Sequence, residues 1–209
     1  VDDIILYAKE RIRVKLNSNV YVTLTDHISF ALERQKANIA FENPLLWEIQ
    51  RYYPTEYEVG SYACDLILKR FGIPLPKDEA GFIALHIVNS EYRTSIREAV
   101  KFPSEIRTIL ELIKQNLQIE FDETSLDYER LLTHVKFLLQ RLYRKELLQE
   151  EDVLIGETVK KQYPRAYACS EKIASYLNEA TGVSLPGAEM TYMTIHIRRV
   201  LNSKENKNV

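Results

Sequence analysis

Tyr53-Pro54-Thr55-Glu56-Tyr57 returns 110 positions later as Tyr163-Pro164-Arg165-Ala166-Tyr167. The same offset carries Gly72-Ile73 onto Gly182-Val183, Pro76 onto Pro186, Glu79 onto Glu189, Phe82 onto Tyr192 and His86-Ile87 onto His196-Ile197. Upstream, Leu24 to Phe30 (LTDHISF) matches Leu131 to Phe137 (LLTHVKF) at an offset of 107, so three residues are gained between the two blocks. Self-similarity of this kind decides an architecture before any single element does. The chain has four histidines, and all four fall on equivalent positions, two per repeat. Composition does not produce that.

Each repeat reads as about five helices. In the first, Ile5, Ala8, Ile12 and Leu16 recur at helical spacing until Asn17-Ser18-Asn19 breaks the pattern. Thr23 with Asp26 three residues on has the form of a capping box, opening a helix that carries Leu24, Ile28, Ala31 and Leu32. Asn43-Pro44 suits an N-cap and first-turn proline; Pro54 interrupts that helix and opens another that stops near Gly72; Pro76 to about Arg93 is the fifth. The second repeat carries matching signals in Ser104, Ser125, Pro164, Gly182 and Pro186. With no strand-like alternation and no hairpin dipeptide, the expected fold is all-α: two tandem homologous helical bundles. The join is expected between Ile96 and Pro103, giving domains 1–98 and 99–209, with a polar tail that frays from about 202.

At 209 residues, 45% hydrophobic and 28% charged, the chain is long and apolar enough to bury a real core. No apolar run reaches the roughly 20 residues that span a bilayer, and Val1-Asp2-Asp3 lacks the basic start of a secretory signal, so a cytoplasmic location without membrane insertion is expected. Cys64 and Cys169 show no metal or redox spacing and read as reduced helix residues. A formal charge of -2 argues against this chain alone gripping a nucleic-acid backbone. The start without Met, inside a helical pattern, suggests an excised fragment.

The functional question lies with the histidines. His27 has Leu24, Phe30 and Arg34 at minus three, plus three and plus seven; His134 has Leu131, Phe137 and Arg141 at the same distances, along one helical face. His86 and His196 each sit two turns beyond a carboxylate, Glu79 or Glu189. One reading is a set of satisfied core histidines, each bonded to a carbonyl or carboxylate. A zinc site is a second, although one histidine per helix, with no HxxxH or HExxH pair, leaves it to folding to assemble the ligands. Nucleophile-and-base catalysis is a weak third, because neither repeat supplies a matched nucleophile. A fourth reading is a reversible phosphoryl acceptor: a neutral imidazole is a competent nucleophile at cell pH, and the added charge disturbs whatever packs on its apolar strip. Arg34 and Arg141 are then candidate bidentate partners for the phosphate, or else solvated surface. Asp26, opposite the neutral Thr133, carries no shared role.

Asp26 to Arg34 (DHISFALER) and Gly81 to Glu91 (GFIALHIVNSE), with their fainter copies around His134 and His196, resemble the tandem PTS regulation domains of bacterial transcriptional antiterminators. Those proteins control beta-glucoside and sucrose operons, and the branch serving lichenan or beta-glucoside operons in Gram-positive bacteria is the most similar. The resemblance covers essentially the whole chain. It implies a regulatory module rather than an enzyme, with no cofactor and no metal, acting as a homodimer. His27 and His86 would take inhibitory phosphate that depends on the sugar permease (enzyme II). His134 and His196 would take activating phosphate from the phosphocarrier protein HPr. Binding of an RNA antiterminator hairpin would belong to a separate N-terminal domain of the parent protein.

Overall fold

The structure is a computed structural model that describes all residues except 13–14, 40, 94–95, 151 and 206–209. Among the described residues there are helices and no strand, so the chain is all-α as expected. It forms two compact units, Val1–Ser104 and Glu105–Val209. The first holds α1 (Asp2–Arg11), α2 (Val20–Lys36), α3 (Leu46–Tyr52), α4 (Pro54–Phe71) and α5 (Lys77–Tyr92). A single turn, α6 (Ile96–Ala99), follows. Then come α7 (Phe102–Leu117), α8 (Leu126–Arg144), α9 (Val153–Gln162), α10 (Pro164–Thr181) and α11 (Gly187–Glu205). Five helices per repeat are therefore present, with α6 as an extra turn near the join.

The repeated punctuation acts through the backbone. Pro54 and Pro164 occupy the first position of α4 and α10, where a missing N–H costs nothing and the fixed φ suits the helix. Gly72 and Gly182, at φ +69 and +72, take the left-handed conformation that closes these helices, donating to Leu68 O and Asn178 O. Ser125 is the cap expected for α8, its Oγ accepting from the Tyr128 N–H at 3.2 Å. Ser125→Ala should therefore lower the stability of the second unit by about 1 kcal/mol, read as a shift of the urea midpoint. An unchanged midpoint would count against the cap.

Four starts and stops differ from the sequence reading. Helix α2 begins at Val20, three residues before Thr23. An Asn17 Oδ1 contact to the Asn19 N–H at 3.0 Å closes the preceding turn, and the buried Val20 is the apolar anchor, so Thr23 sits inside the helix and no capping box forms. Helix α1 stops at Arg11; Ile12 is extended, yet Ile12 and Leu16 stay buried, so their spacing reported burial and not helix. Asn43 does not cap α3 directly. Its N–H donates to Asp78 Oδ1 at 2.7 Å and its Oδ1 accepts from the Leu45 N–H, a turn that delays the helix to Leu46. Ser104 lies within α7, and its hydroxyl donates to Lys101 O. At the C-terminus α11 continues through Asn202 to Glu205, and the rest of the tail expected to fray, 206–209, lies outside the described residues.

In the first unit α1, α2, α4 and α5 enclose Ile4, Ile5, Leu24, Val59, Ile83 and Ile87. The second buries Ile109, Ile113, Leu131, Val135, Ile173 and Ile197. Helices α4 and α5 touch at Gly60, where a methyl group would lie 2.0 Å from Ala80 O. The equivalent contact of α10 and α11 has Ser170 in place of the glycine, and its Oγ lies 3.0 Å from Thr194 Oγ1. Both solutions clamp the histidine-bearing C-terminal helix of the unit to its neighbour.

Candidate functional site

In the first unit, α2 carries His27 and Arg34 one face apart by two turns, and α5 carries Glu79 and His86 in the same relation. The four side chains meet. The rings of His27 and His86 lie 4.8 Å apart at 43°. Glu79, buried between the helices, accepts from Arg34 at 2.7 Å on one oxygen and lies 3.0 Å from His27 Nε2 with the other. Burial alone would raise the Glu79 pKa, but the hydrogen bonds from His27 and Arg34, and their charge, hold it below the ordinary value. An ionised carboxylate only accepts, so this contact assigns the His27 proton to Nε2. Phe82 and Phe41 line the same side, with Arg34 stacked 5.3 Å above the Phe41 ring. A cavity of about 400 Å³ opens beside Arg34, Phe41 and Glu79.

The second unit uses the same four positions differently. His134 and His196 stack at 4.5 Å and 23°. Arg141 donates through Nε and a terminal nitrogen to both oxygens of Glu189, at 2.7 and 2.6 Å, and the Leu148 N–H adds a third bond at 3.1 Å. With its carboxylate fully taken, His134 has no counterpart of the His27 contact, and its Nε2 is buried without a partner. A cavity of about 350 Å³ adjoins the pair, lined by Leu126, Glu129, Arg130, Thr133, Phe137 and the two histidines.

Burial sets the protonation of these rings. It pushes His86 down to about 4, helped by the nearby His27, and His134 down to about 3, helped by His196 and Arg141. His196 is lowered by burial, then by Arg199 and Arg130. These three imidazoles are therefore neutral at cell pH, with a lone pair on one ring nitrogen. In each of them one buried nitrogen makes no hydrogen bond: Nδ1 of His86, Nε2 of His134 and Nδ1 of His196.

Sequence reasoning set the four histidines and the two arginines on common helical faces, and the structure pairs both Arg34 and Arg141 with carboxylates. It gave Glu79 and Glu189 a place without a task. It did not single out Arg130 and Arg199, whose positive charge bears on His196. The signal was present in the offsets, which set these two arginines against the neutral Thr23 and Asn89 of the first repeat. Among the described residues no group of three or more His, Cys, Asp or Glu is placed to hold a metal ion. No described helix is long and apolar enough to cross a membrane.

Two copies of the PRD domain model match the chain, over residues 2–90 and 107–200. The chain belongs to the PRD family. The similarity to curated relatives runs through both domains. The transcription antiterminator LicT of Bacillus subtilis (strain 168) is 42% identical over 200 residues, which is 96% of this chain and 72% of that protein. The beta-glucoside operon antiterminator of Dickeya chrysanthemi is 38% identical over 95% of this chain and 70% of its own length. The GlcA/glcB genes antiterminator of Staphylococcus carnosus is 34% identical over 99% and 71%. Each histidine pair thus lies within one PRD domain, on its second and fifth helices.

Proposed function

We propose that this chain is the regulatory part of a transcriptional antiterminator, in which PTS proteins reversibly phosphorylate His27, His86, His134 and His196. The observation that carries this reading is the pair of neighbouring histidine rings in each PRD domain, 4.8 and 4.5 Å apart, with a buried nitrogen unpaired on three of the four rings. A structural histidine would have those nitrogens satisfied, because buried polar groups in folded proteins are nearly always bonded. His27 alone is held as a core histidine would be, by Glu79. The rival reading, a helical scaffold with structural histidines, explains one ring of the four.

In the proposed cycle the phosphocarrier protein HPr donates to His134 or His196 and favours an active homodimer. Phosphate on His27 or His86, dependent on the sugar permease, reverses this. Each phosphate adds about −1.5 to −2 charge to an apolar, half-buried place. Shifting a two-state equilibrium from mostly one form to mostly the other requires about 5.5 kcal/mol, a scale that desolvating such a dianion reaches. The RNA hairpin would be bound by another part of the parent protein, for which the relatives have room: more than a quarter of each one's length lies outside the match. Such a regulator would work in the cytoplasm.

Incubation with HPr, its kinase enzyme and phosphoenolpyruvate should place acid-labile phosphate on the histidines of the second PRD domain, mapped by mass spectrometry. Absence of label on all four histidines would refute the proposal.

A further inference from the structure

The two histidine pairs stand in opposite electrostatic settings, and the repeat offsets show how. Around His134 and His196 the second PRD domain has Arg130, Thr133 and Arg199, with Glu129 as the one acid lining the cavity. The first PRD domain has Thr23, Asp26, Asn89 and Val22 in those places. The rim changes from acidic to net basic between two otherwise matching sites. The cation best placed to use this is not Arg141, whose guanidinium is spent on both oxygens of Glu189. Arg130 lines the cavity beside both histidines, and its one ion pair among the described residues is a long one, 3.6 Å to Asp127.

We infer that the cavity beside His134 and His196 is a phosphoryl-binding site, in which Arg130, seconded by Arg199, holds the dianion carried by one of the two histidines. This rests on the phosphorylation reading above and adds to it the residue that retains the group. The chemistry balances without a co-reactant. The P–N bond of a phosphohistidine on the donor breaks and its electron pair returns to the donor imidazole. The lone pair of the acceptor nitrogen forms the new N–P bond, and no net proton moves. The product places a dianion where the guanidinium gives charge-assisted, potentially bidentate hydrogen bonds. At about 350 Å³ the space takes a phosphoryl group together with several waters, each needing about 30 Å³. The rim of the first domain, with Asp26 in place of Thr133, lacks that hold, so a phosphate there depends on other partners.

The test compares the whole chain with its Arg130→Gln, Arg130→Lys and Arg199→Gln variants. Each is phosphorylated with HPr, its kinase enzyme and phosphoenolpyruvate, and in parallel with phosphoramidate, a small donor that needs no docking. Phosphate at each histidine is then followed by mass spectrometry after the donor is removed. Arg130→Gln should shorten the lifetime of phosphate on His134 and His196 about tenfold, the size of one charge-assisted bond, and leave His27 and His86 unchanged. Arg130→Lys should recover part of the loss, and Arg199→Gln should show a smaller one. Because the Arg130 side chain is 55% exposed, the unfolding temperature should not move. Wild-type lifetimes in Arg130→Gln overturn the site while leaving the phosphorylation reading intact. No label on His134 or His196 from either donor overturns both.

Discussion

Replacing Arg141 with methionine is expected to destabilise the second PRD domain by about 3–5 kcal/mol, the usual cost of removing one member of a buried ion pair. Glu189 is 0% exposed and receives two hydrogen bonds from Arg141 and one from the Leu148 N–H. Methionine keeps most of the aliphatic stem but leaves a carboxylate in the core with a single donor. Arg34→Met in the first domain should cost less, about 1–3 kcal/mol, because His27 still reaches the other oxygen of Glu79. Adding Glu189→Leu to Arg141→Met should recover much of the loss, since an apolar pair of similar volume is often as stable as the ions it replaces. Urea unfolding gives all three values. Equal costs at Arg34 and Arg141 would show that the unequal sharing of the carboxylate has no energetic content.

That unequal sharing bears on regulation. In the first domain the carboxylate fixes the ring of His27 within an Arg34–Glu79–His27 chain. In the second the arginine and glutamate are closed on each other, and the histidine pair beside them stacks ring on ring with one buried nitrogen of each unpaired. The same four positions thus hold their histidine rings differently in the two domains, with His27 tied to a carboxylate and His134 not.

The architecture was legible because duplication doubles every weak signal. Pro54 or Gly72 alone is an ordinary turn residue; each matched at an offset of 110 marks a helix boundary twice, and both copies behave identically in the structure. The starts of α2 and α3 were misread for a local reason. Side-chain oxygens of Asn17 and Asn43 close turns just ahead of each helix, and a cap rule reads residue type without seeing where such a turn ends. The pairing of His27 with His86 and of His134 with His196 was only half legible. Helical spacing puts each on a buried face, but it takes the packing of α2 on α5 and of α8 on α11 to bring the rings together. The ion pairs of Arg34 and Arg141 were not legible, because their spacing describes one helix only, while the carboxylates that bind them stand on another.

Acid should weaken the fold well above the pH at which its carboxylates are protonated. In the unfolded chain a histidine takes up a proton as pH falls through ~6.5. In the folded protein His86 resists until about 4 and His134 until about 3, chiefly because burial penalises the charged ring. Between those limits the unfolded state binds more protons than the folded one, so stability rises with pH and is lost as pH drops from about 6.5 toward 4. The loss for His86 is on the order of 3 kcal/mol, with a similar amount at His134, since one pK unit corresponds to about 1.4 kcal/mol. Glu79, whose pKa is lowered in the fold, adds its own loss only once the pH approaches the ordinary glutamate value of ~4.3, so the two effects occupy separate windows. Urea unfolding from pH 7.5 to 4.5 should show the decline in the wild type and a much shallower one in His86→Gln with His134→Gln, where no imidazole remains at the two most depressed positions. A wild-type stability flat across that range, or an identical slope in the double variant, would sink the account. The same burial that makes acid costly keeps the rings neutral at cell pH. An imidazole kept unprotonated retains the lone pair that a phosphoryl acceptor needs, and a fold that loses stability when these rings take a positive charge is one that a change of charge at the same rings can reorganise.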